Sequence, residues 1–240
     1  MTTPSLSLSP ANALEFRTTA CAAHEHSEFT LRFLREVPVP GLEKMLLGYF
    51  ENAVAGGSRF KPGQTVQLGW ATLRLTQRGD GTLGVLEPDL KHELKWIESV
   101  DQSLLETWRH KEVLDSLGLL DRADYPRQAL QAVVCSRTWE APSFMMGRTE
   151  PSAPTDSGWF VGCMDDAHDH QAPEALSVVP LIEIAVKLPP LTQFFALPQG
   201  TDVVVSGPKP GSRIRARVFV EGEEVKPREG SYLDALNRQD

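Results

Sequence analysis

The sequence has few cysteines, and this scarcity excludes a disulfide-built fold. Its 240 residues hold three cysteines, Cys21, Cys135 and Cys163. An odd number at wide spacing does not form a disulfide framework, and no two of them have the spacing of a zinc ribbon. Reduced thiols are therefore expected.

The sequence also lacks an excess of basic residues. Lys and Arg number 24 against 32 Asp and Glu, so the formal net charge is -8, whereas nucleic-acid-binding proteins carry a basic surface. Arg213, Arg215 and Arg217 alternate with apolar residues and are interpreted as the solvent-facing row of a strand. We expect no nucleic-acid partner, although an acidic protein can meet a basic protein, since complementary charge speeds association.

No apolar run is long enough to cross a bilayer. The most apolar stretch, residues 176–198, is interrupted by three prolines and by Glu183 and Lys187, so it cannot form one spanning helix. Residues 1–12 are predicted to be a flexible tail, and they lack the basic start and apolar run of a secretory signal. A cytoplasmic protein without membrane contact is expected.

The patterns that are present predict an α+β fold, with antiparallel sheets and packed helices in two halves. Apolar residues at helical spacing predict helices over residues 41–55, 89–117 and 180–187. For the second stretch, two helices broken near residues 99–102 are the alternative. Alternating apolar residues predict an antiparallel meander over 66–86 and strands at 129–136, 158–163, 202–206 and 213–220. We expect an N-terminal α+β domain over residues 13–125 and a C-terminal α+β domain over residues 126–240.

The most informative segment runs from residue 156 to residue 170. A glycine-flanked aromatic strand is followed at once by Met-Asp-Asp-Ala-His-Asp-His. Imidazole and carboxylate groups could bind zinc, iron or manganese, so a metal-dependent hydrolase using Asp165–His170 is one alternative. The preferred interpretation is a loop that enters a helix, in which Asp side chains accept backbone hydrogen bonds. On this interpretation the chain has no metal ligands and no cofactor.

Nucleophilic catalysis is a second alternative. Cys163 could form a dyad with His168 or His170. Ser157 lacks the Gly-x-Ser-x-Gly elbow of hydrolases, and Cys163 ends an apolar strand, where cysteine usually behaves as a small buried hydrophobe. We therefore predict no catalytic residue and no enzyme activity.

An ordered set of motifs resembles one bacterial family. The set consists of Asp156-Ser-Gly-Trp-Phe-Val-Gly-Cys163, Asp165-Asp-x-His-Asp-His170, Pro173-Glu-x-Leu176, Leu181-x-Glu183 and Phe195-Ala-Leu-Pro-x-Gly200. Over about residues 130–235 the chain resembles the immunity protein thirty-three family, formerly a domain of unknown function. The N-terminal half resembles the accessory region that some members carry.

The resemblance implies a binding protein. Members of the family are encoded beside polymorphic toxins, so the expected partner is a cognate toxin, delivered by a secretion system such as type VI and blocked by direct binding in bacterial competition. A scaffold module without a toxin remains another alternative. The resemblance assigns Ser157, Gly158, Trp159 and Gly162 to holding the fold. The candidate toxin contacts are Asp165, Asp166, His168, Asp169, His170 and Glu174.

Overall fold

A computed structural model describes residues 13–37, 39–90, 95–165, 167–170, 172–207 and 214–238. The chain divides into two compact units, Met1–Trp108 and Arg109–Asp240. Each unit combines a sheet with helices, so the predicted α+β class is confirmed. The predicted tail over residues 1–12 lies outside the described residues. The assignment of residues 13–125 and 126–240 to two functional domains stays a prediction.

The first unit is built on a six-stranded sheet of order β1-β2-β5-β4-β3, with β6 paired to β5. Its elements are β1 (Leu14–Arg17), β2 (Phe29–Phe33), α1 (Leu42–Ala55), β3 (Thr65–Leu68), β4 (Ala71–Gln77), β5 (Leu83–Pro88), β6 (Trp96–Ile97) and the start of α2 (Asp101–Leu117). The predicted meander is confirmed as β3, β4 and β5. The sheet is nevertheless mixed, because β2 and β5 pair in parallel.

Helix α1 covers the core of the first unit with one face. Leu42, Leu46, Phe50 and Val54 follow one another at intervals of four residues, and all four are buried. This spacing places them on the same side of the helix. Phe50 stacks on Phe29 of β2 with the ring centroids 4.1 Å apart. The helix predicted over residues 41–55 is therefore confirmed.

The helix predicted over residues 89–117 is wrong in its first part, whereas the alternative break near residues 99–102 agrees with the observed start of α2. Residues 91–94 lie outside the described residues, β6 follows them, and α2 begins only at Asp101. The buried carboxylate of Glu87 fixes this start, since it accepts hydrogen bonds from the backbone N–H of Ser103 at 2.7 Å and of Gln102 at 3.3 Å. The first N–H groups of a helix need hydrogen-bond acceptors from outside the helix. Here the acceptor is Glu87, which lies on strand β5.

The second unit is built on a seven-stranded sheet of order β10-β7-β9-β8-β11-β12-β13. Its elements after α2 are β7 (Gln131–Cys135), β8 (Ser143–Arg148), β9 (Asp156–Cys163), β10 (Leu176–Pro180), α3 (Leu181–Lys187), β11 (Thr201–Ser206), β12 (Arg215–Val220), β13 (Glu223–Val225) and α4 (Tyr232–Arg238). Strands β7, β9, β11 and β12 and helix α3 occupy predicted positions. Strands β8, β10 and β13 and helix α4 were not predicted. Arg213, which was predicted to start a strand, lies outside the described residues.

Five short 3-10 helices lie within the described residues. They span Cys21–His24, Leu120–Arg122, Ser136–Trp139, Pro173–Ala175 and Pro189–Phe194. Within the described part of the chain, none of the helices combines the length and the apolar character needed to cross a membrane.

One strand pair of the second sheet departs from the antiparallel expectation. Strands β7 and β9 run parallel, with Val133 opposite Phe160 and Val134 opposite Val161. Parallel neighbours end at the same edge of a sheet. The last residues of β7 and β9 therefore lie beside each other, and both are cysteines.

Candidate functional site

The Ser-Gly-Trp motif opens β9 with a backbone irregularity. Gly158 has φ of +75°, and a Cβ atom at this position would lie 2.1 Å from the carbonyl oxygen of Thr149. Ser157 donates its hydroxyl to the carbonyl of Gln131 at 2.6 Å, where the register between β7 and β9 shifts. Because other residues carry a Cβ, only glycine fits at position 158.

Trp159 anchors the core of the second unit. Its side chain is 1% exposed, and its indole N–H donates to the carbonyl of Phe195 at 3.3 Å. The guanidinium of Arg148 lies 5.6 Å from the centre of the indole ring. It pairs with the carboxylate of Asp124 at 2.9 Å and donates to the carbonyls of Asp124 and Leu197. Trp159 thus belongs to a buried packing and hydrogen-bonding network.

Gly162 leaves room for neighbouring rings near the end of β9. A Cβ atom here would lie 2.6 Å from Cε1 of Phe160 and 3.7 Å from Cδ2 of His170. A larger residue would displace Phe160, since real Cβ contacts are not this short. The position of Gly162 therefore connects the motif in β9 with the loop that follows it.

Four side chains with metal-binding atoms converge at the carboxyl ends of β7 and β9. The Sγ atoms of Cys135 and Cys163 lie 3.7 Å apart. Nδ1 of His168 lies 3.2 Å from the first Sγ and 3.3 Å from the second, and Nε2 of His170 lies 3.3 Å from Cys163 Sγ. All four atoms fall within 4.8 Å of one another. These four residues are called the Cys/His cluster below.

A turn held by Asp165 directs the loop back to the strand ends. Its carboxylate accepts the backbone N–H of Ala167 at 3.0 Å, and its carbonyl accepts that of His168 at 3.0 Å. The other carboxylate oxygen pairs with the guanidinium of Arg137 at 2.7 Å. The hydrogen bond from Ala167, followed by the charge of Arg137, lowers the pKa of Asp165. Asp165 therefore shapes the loop as the sequence suggested for an Asp-rich turn.

The two thiols differ in acidity. Burial raises the pKa of Cys135, but hydrogen bonds from the backbone of Cys163 and Arg137 outweigh burial and bring the pKa below its ordinary value. For Cys163, burial and the neighbouring Cys135 raise the pKa. Both cysteines are free and buried.

The structure divides the predicted contact residues into two groups. His168 and His170 are half-buried and turn toward the thiols, whereas Asp165, Asp169 and Glu174 are exposed. Asp166 lies outside the described residues. Among the described residues, the ligand atoms that converge include no carboxylate. The Asp/His metal set considered from the sequence is therefore not the set that the fold brings together.

Sequence reasoning missed Cys135 as a member of the site. Cys135 and Cys163 are 28 residues apart, so no spacing motif connects them. The available signal was that each ends a predicted strand. Only parallel pairing of these strands brings the cysteines together, and antiparallel sheets were expected.

One face of the second sheet is partly open. The register aligns Val178 with Val133, and Val133 with Phe160, across three strands. Val178 is 61% exposed and Met145, which lies opposite Gly162, is 40% exposed. Val133 and Phe160 are half-buried. These four apolar residues are called the open face below.

Comparison with known proteins identifies the second unit more closely than the first. Residues 109–212 match the family model described as the Imm33-like domain, where the motifs predicted the resemblance over about 130–235. No curated protein and no solved structure showed a significant match to the chain. The matched range includes β7 to β11 and the Cys/His cluster. The resemblance to an immunity-protein family is therefore confirmed by the family-model match over residues 109–212.

Proposed function

We propose that this protein is a cytoplasmic immunity protein that binds a co-encoded bacterial toxin and neutralises it without catalysis. The observation that carries the proposal is the match of residues 109–212 to the Imm33-like domain. The proposed toxin is one that competing bacteria deliver through a secretion system such as type VI. The net charge of -8 supports a basic partner surface.

The proposed contact surface joins the open face to the exposed carboxylates of Asp169 and Glu174. Protein interfaces commonly have an apolar centre and a polar rim. Exposed Val178 and Met145 supply apolar area, and the loop with Asp169 follows β9 directly. His170 approaches Gly162, so the loop and the open face adjoin each other.

Co-expression with the toxin encoded by the adjacent gene tests the proposal. We expect this protein to restore growth of cells that produce the toxin, and the two purified chains to elute as one complex. If cells die as fast with the protein as without it, and no complex forms, the proposal is wrong.

Paired charge reversals test the acidic part of the surface. Asp169→Lys with Glu174→Lys should slow association with the toxin by about tenfold at low salt, and less at high salt, because salt screens the attraction. Asp121→Lys with Glu150→Lys is the matched control, since these residues are also exposed in the second unit. Equal association rates for the two double variants would remove Asp169 and Glu174 from the interface.

Truncation of the open face tests the apolar part. Met145→Ser with Val178→Ser should weaken binding by about tenfold or more, mainly through faster dissociation. Both side chains are exposed, so the fold should tolerate the change. Unchanged dissociation would show that the toxin does not contact this face.

A further inference from the structure

We propose that Cys135, Cys163, His168 and His170 bind one zinc ion, which fastens the loop after β9 to the ends of β7 and β9. The inference rests on the geometry of the Cys/His cluster and does not depend on toxin binding. It differs from the expectation drawn from the sequence, which foresaw no metal ligands.

The donor set is one that zinc prefers. Two thiolates and two imidazoles in a tetrahedron are the ligands of a common structural zinc site, with Zn–S of about 2.3 Å and Zn–N of about 2.0–2.1 Å. A regular tetrahedron with these bonds separates the two sulfurs by about 3.8 Å and each sulfur from a nitrogen by about 3.5 Å. The Sγ atoms are 3.7 Å apart, and three sulfur–nitrogen distances are 3.2–3.3 Å. The remaining separations reach up to 4.8 Å, against about 3.3–3.5 Å in a regular tetrahedron, so His170 has to shift by about 1 Å to complete the site.

The number of ligands indicates a structural role. Catalytic zinc sites keep one position for water or substrate, whereas structural sites are filled by four protein ligands. The Cys/His cluster supplies all four ligands. A hydrolase that uses this metal is therefore disfavoured. On binding, the ion displaces the thiol protons of Cys135 and Cys163, which leave to solvent.

Contacts of the loop after β9 hold His168 in position for metal binding. The turn at Asp165 places His168, and the ion pair between Asp165 and Arg137 ties the loop to the 3-10 helix that follows β7. Ligands held in position by neighbouring groups bind metal more tightly than mobile ones. Asp165 acts as a positioning residue, not as a ligand.

Two other chemistries could use the same atoms. A catalytic dyad needs one thiol, one imidazole and access for substrate, but here two thiols face two imidazoles and both cysteines are buried. A disulfide between Cys135 and Cys163 would engage the sulfurs and give the two imidazoles no role. A tetrahedral metal ion such as zinc uses all four groups.

Metal content of the full chain, produced without a histidine tag in zinc-supplemented medium, tests the proposal. We expect about one zinc ion per chain in wild type. Cys135→Ser and His170→Ala should each lower zinc content at least several-fold after dialysis against a weak chelator. Cys21→Ser and His24→Ala are the matched controls and should retain wild-type zinc content. Zinc-free wild-type protein, or equal losses in all four variants, would overturn the proposal.

A measurement on the wild-type chain avoids the risk that a variant fails to fold. Removing zinc with a strong chelator should lower the Tm of the second unit by about 10 °C or more, and added zinc should restore it. Iodoacetamide should label Cys135 and Cys163 faster after chelation than before. Unchanged Tm and labelling after chelation, or a disulfide between the two cysteines in protein purified under mild conditions, would contradict zinc binding.

Discussion

The two units place the same residue types, cysteine and histidine, in different surroundings. In the first unit, Cys21 is buried with its Sγ 3.6 Å from the hydroxyl of Thr18. His26 stacks on Phe29, and its Nε2 accepts the backbone N–H of Phe60 at 2.9 Å. Ordinary packing and hydrogen bonding account for both residues, and Cys21 fits the expectation of a small buried hydrophobe.

In the second unit, thiols and imidazoles face one another. From their burial alone, Cys135 and Cys163 would also be interpreted as small hydrophobic core residues. Their sulfurs, however, lie within 3.3 Å of imidazole nitrogens of His168 or His170. The comparison teaches that residue type and burial do not identify a metal ligand, whereas convergence of four donor atoms does.

The largest effect is expected from replacing Arg148, a buried cation of the second unit. Arg148→Met should lower the free energy of unfolding of this unit by about 3–5 kcal/mol, because it leaves the carbonyls of Asp124 and Leu197 without their donor. Arg217→Met is the control, since Arg217 is exposed and pairs with Glu224 at the surface, and it should leave the free energy of unfolding nearly unchanged. Hydrogen exchange of β9 amides in urea would measure both. Equal losses would show that the second unit does not depend on its long-range polar contacts.

The second largest effect is expected at His110, a buried histidine of the second unit that does not belong to the Cys/His cluster. His110 is fully buried, and its Nε2 lies 2.6 Å from the carbonyl oxygen of Thr192. Burial lowers its pKa from 6.5 to about 4. The folded state keeps this imidazole neutral while the unfolded chain takes up a proton, so its contribution to stability decreases as pH falls from about 6.5 to about 4. The full loss is about 3 kcal/mol.

Urea unfolding of wild type and His110→Gln at pH 7.5 and pH 4.5 would measure this effect. Carboxylates and other histidines titrate in both proteins, so the difference between their pH dependences isolates His110. The variant should lose less stability on acidification than wild type. Equal pH dependence would show that His110 is not held neutral in the folded state.

The smallest effect concerns the cysteine of the first unit. Cys21→Ala should cost about 1 kcal/mol, the usual consequence of removing a small buried group. Thermal unfolding with and without chelator should show the same metal-dependent change in this variant as in wild type. If Cys21→Ala abolishes that change, the contrast between the two units fails.

The sequence predicted those elements whose patterns are local. The buried face of α1 repeats every four residues from Leu42 to Val54, and the strands of the meander alternate, so both were foreseen. Strand β8 was missed because a buried arginine, Arg148, ends it and a polar loop follows. The pattern left the start of α2 open because its first N–H groups bond to Glu87 on strand β5. Such partners are set by tertiary structure and leave no local pattern.

The sequence predicted only the two histidines of the candidate site. His168 and His170 stood out as metal-binding residue types, but the aspartates beside them were considered as their fellow ligands. Among the described residues, the side chains that converge with these histidines are Cys135 and Cys163, which meet only because β7 and β9 are parallel. Strand direction is decided by the whole sheet, so a single sequence could not supply it.

The absorption spectrum of the chain loaded with cobalt(II) tests the central claim most directly. Cobalt in a tetrahedral site with two thiolates gives intense visible bands and a sulfur-to-cobalt charge-transfer band in the near ultraviolet. We predict both in wild type and in Cys21→Ser, and the loss of the charge-transfer intensity in Cys135→Ser with Cys163→Ser. A weak spectrum typical of octahedral oxygen coordination would contradict a zinc site at the Cys/His cluster. So would a charge-transfer band that persists in the double variant Cys135→Ser with Cys163→Ser.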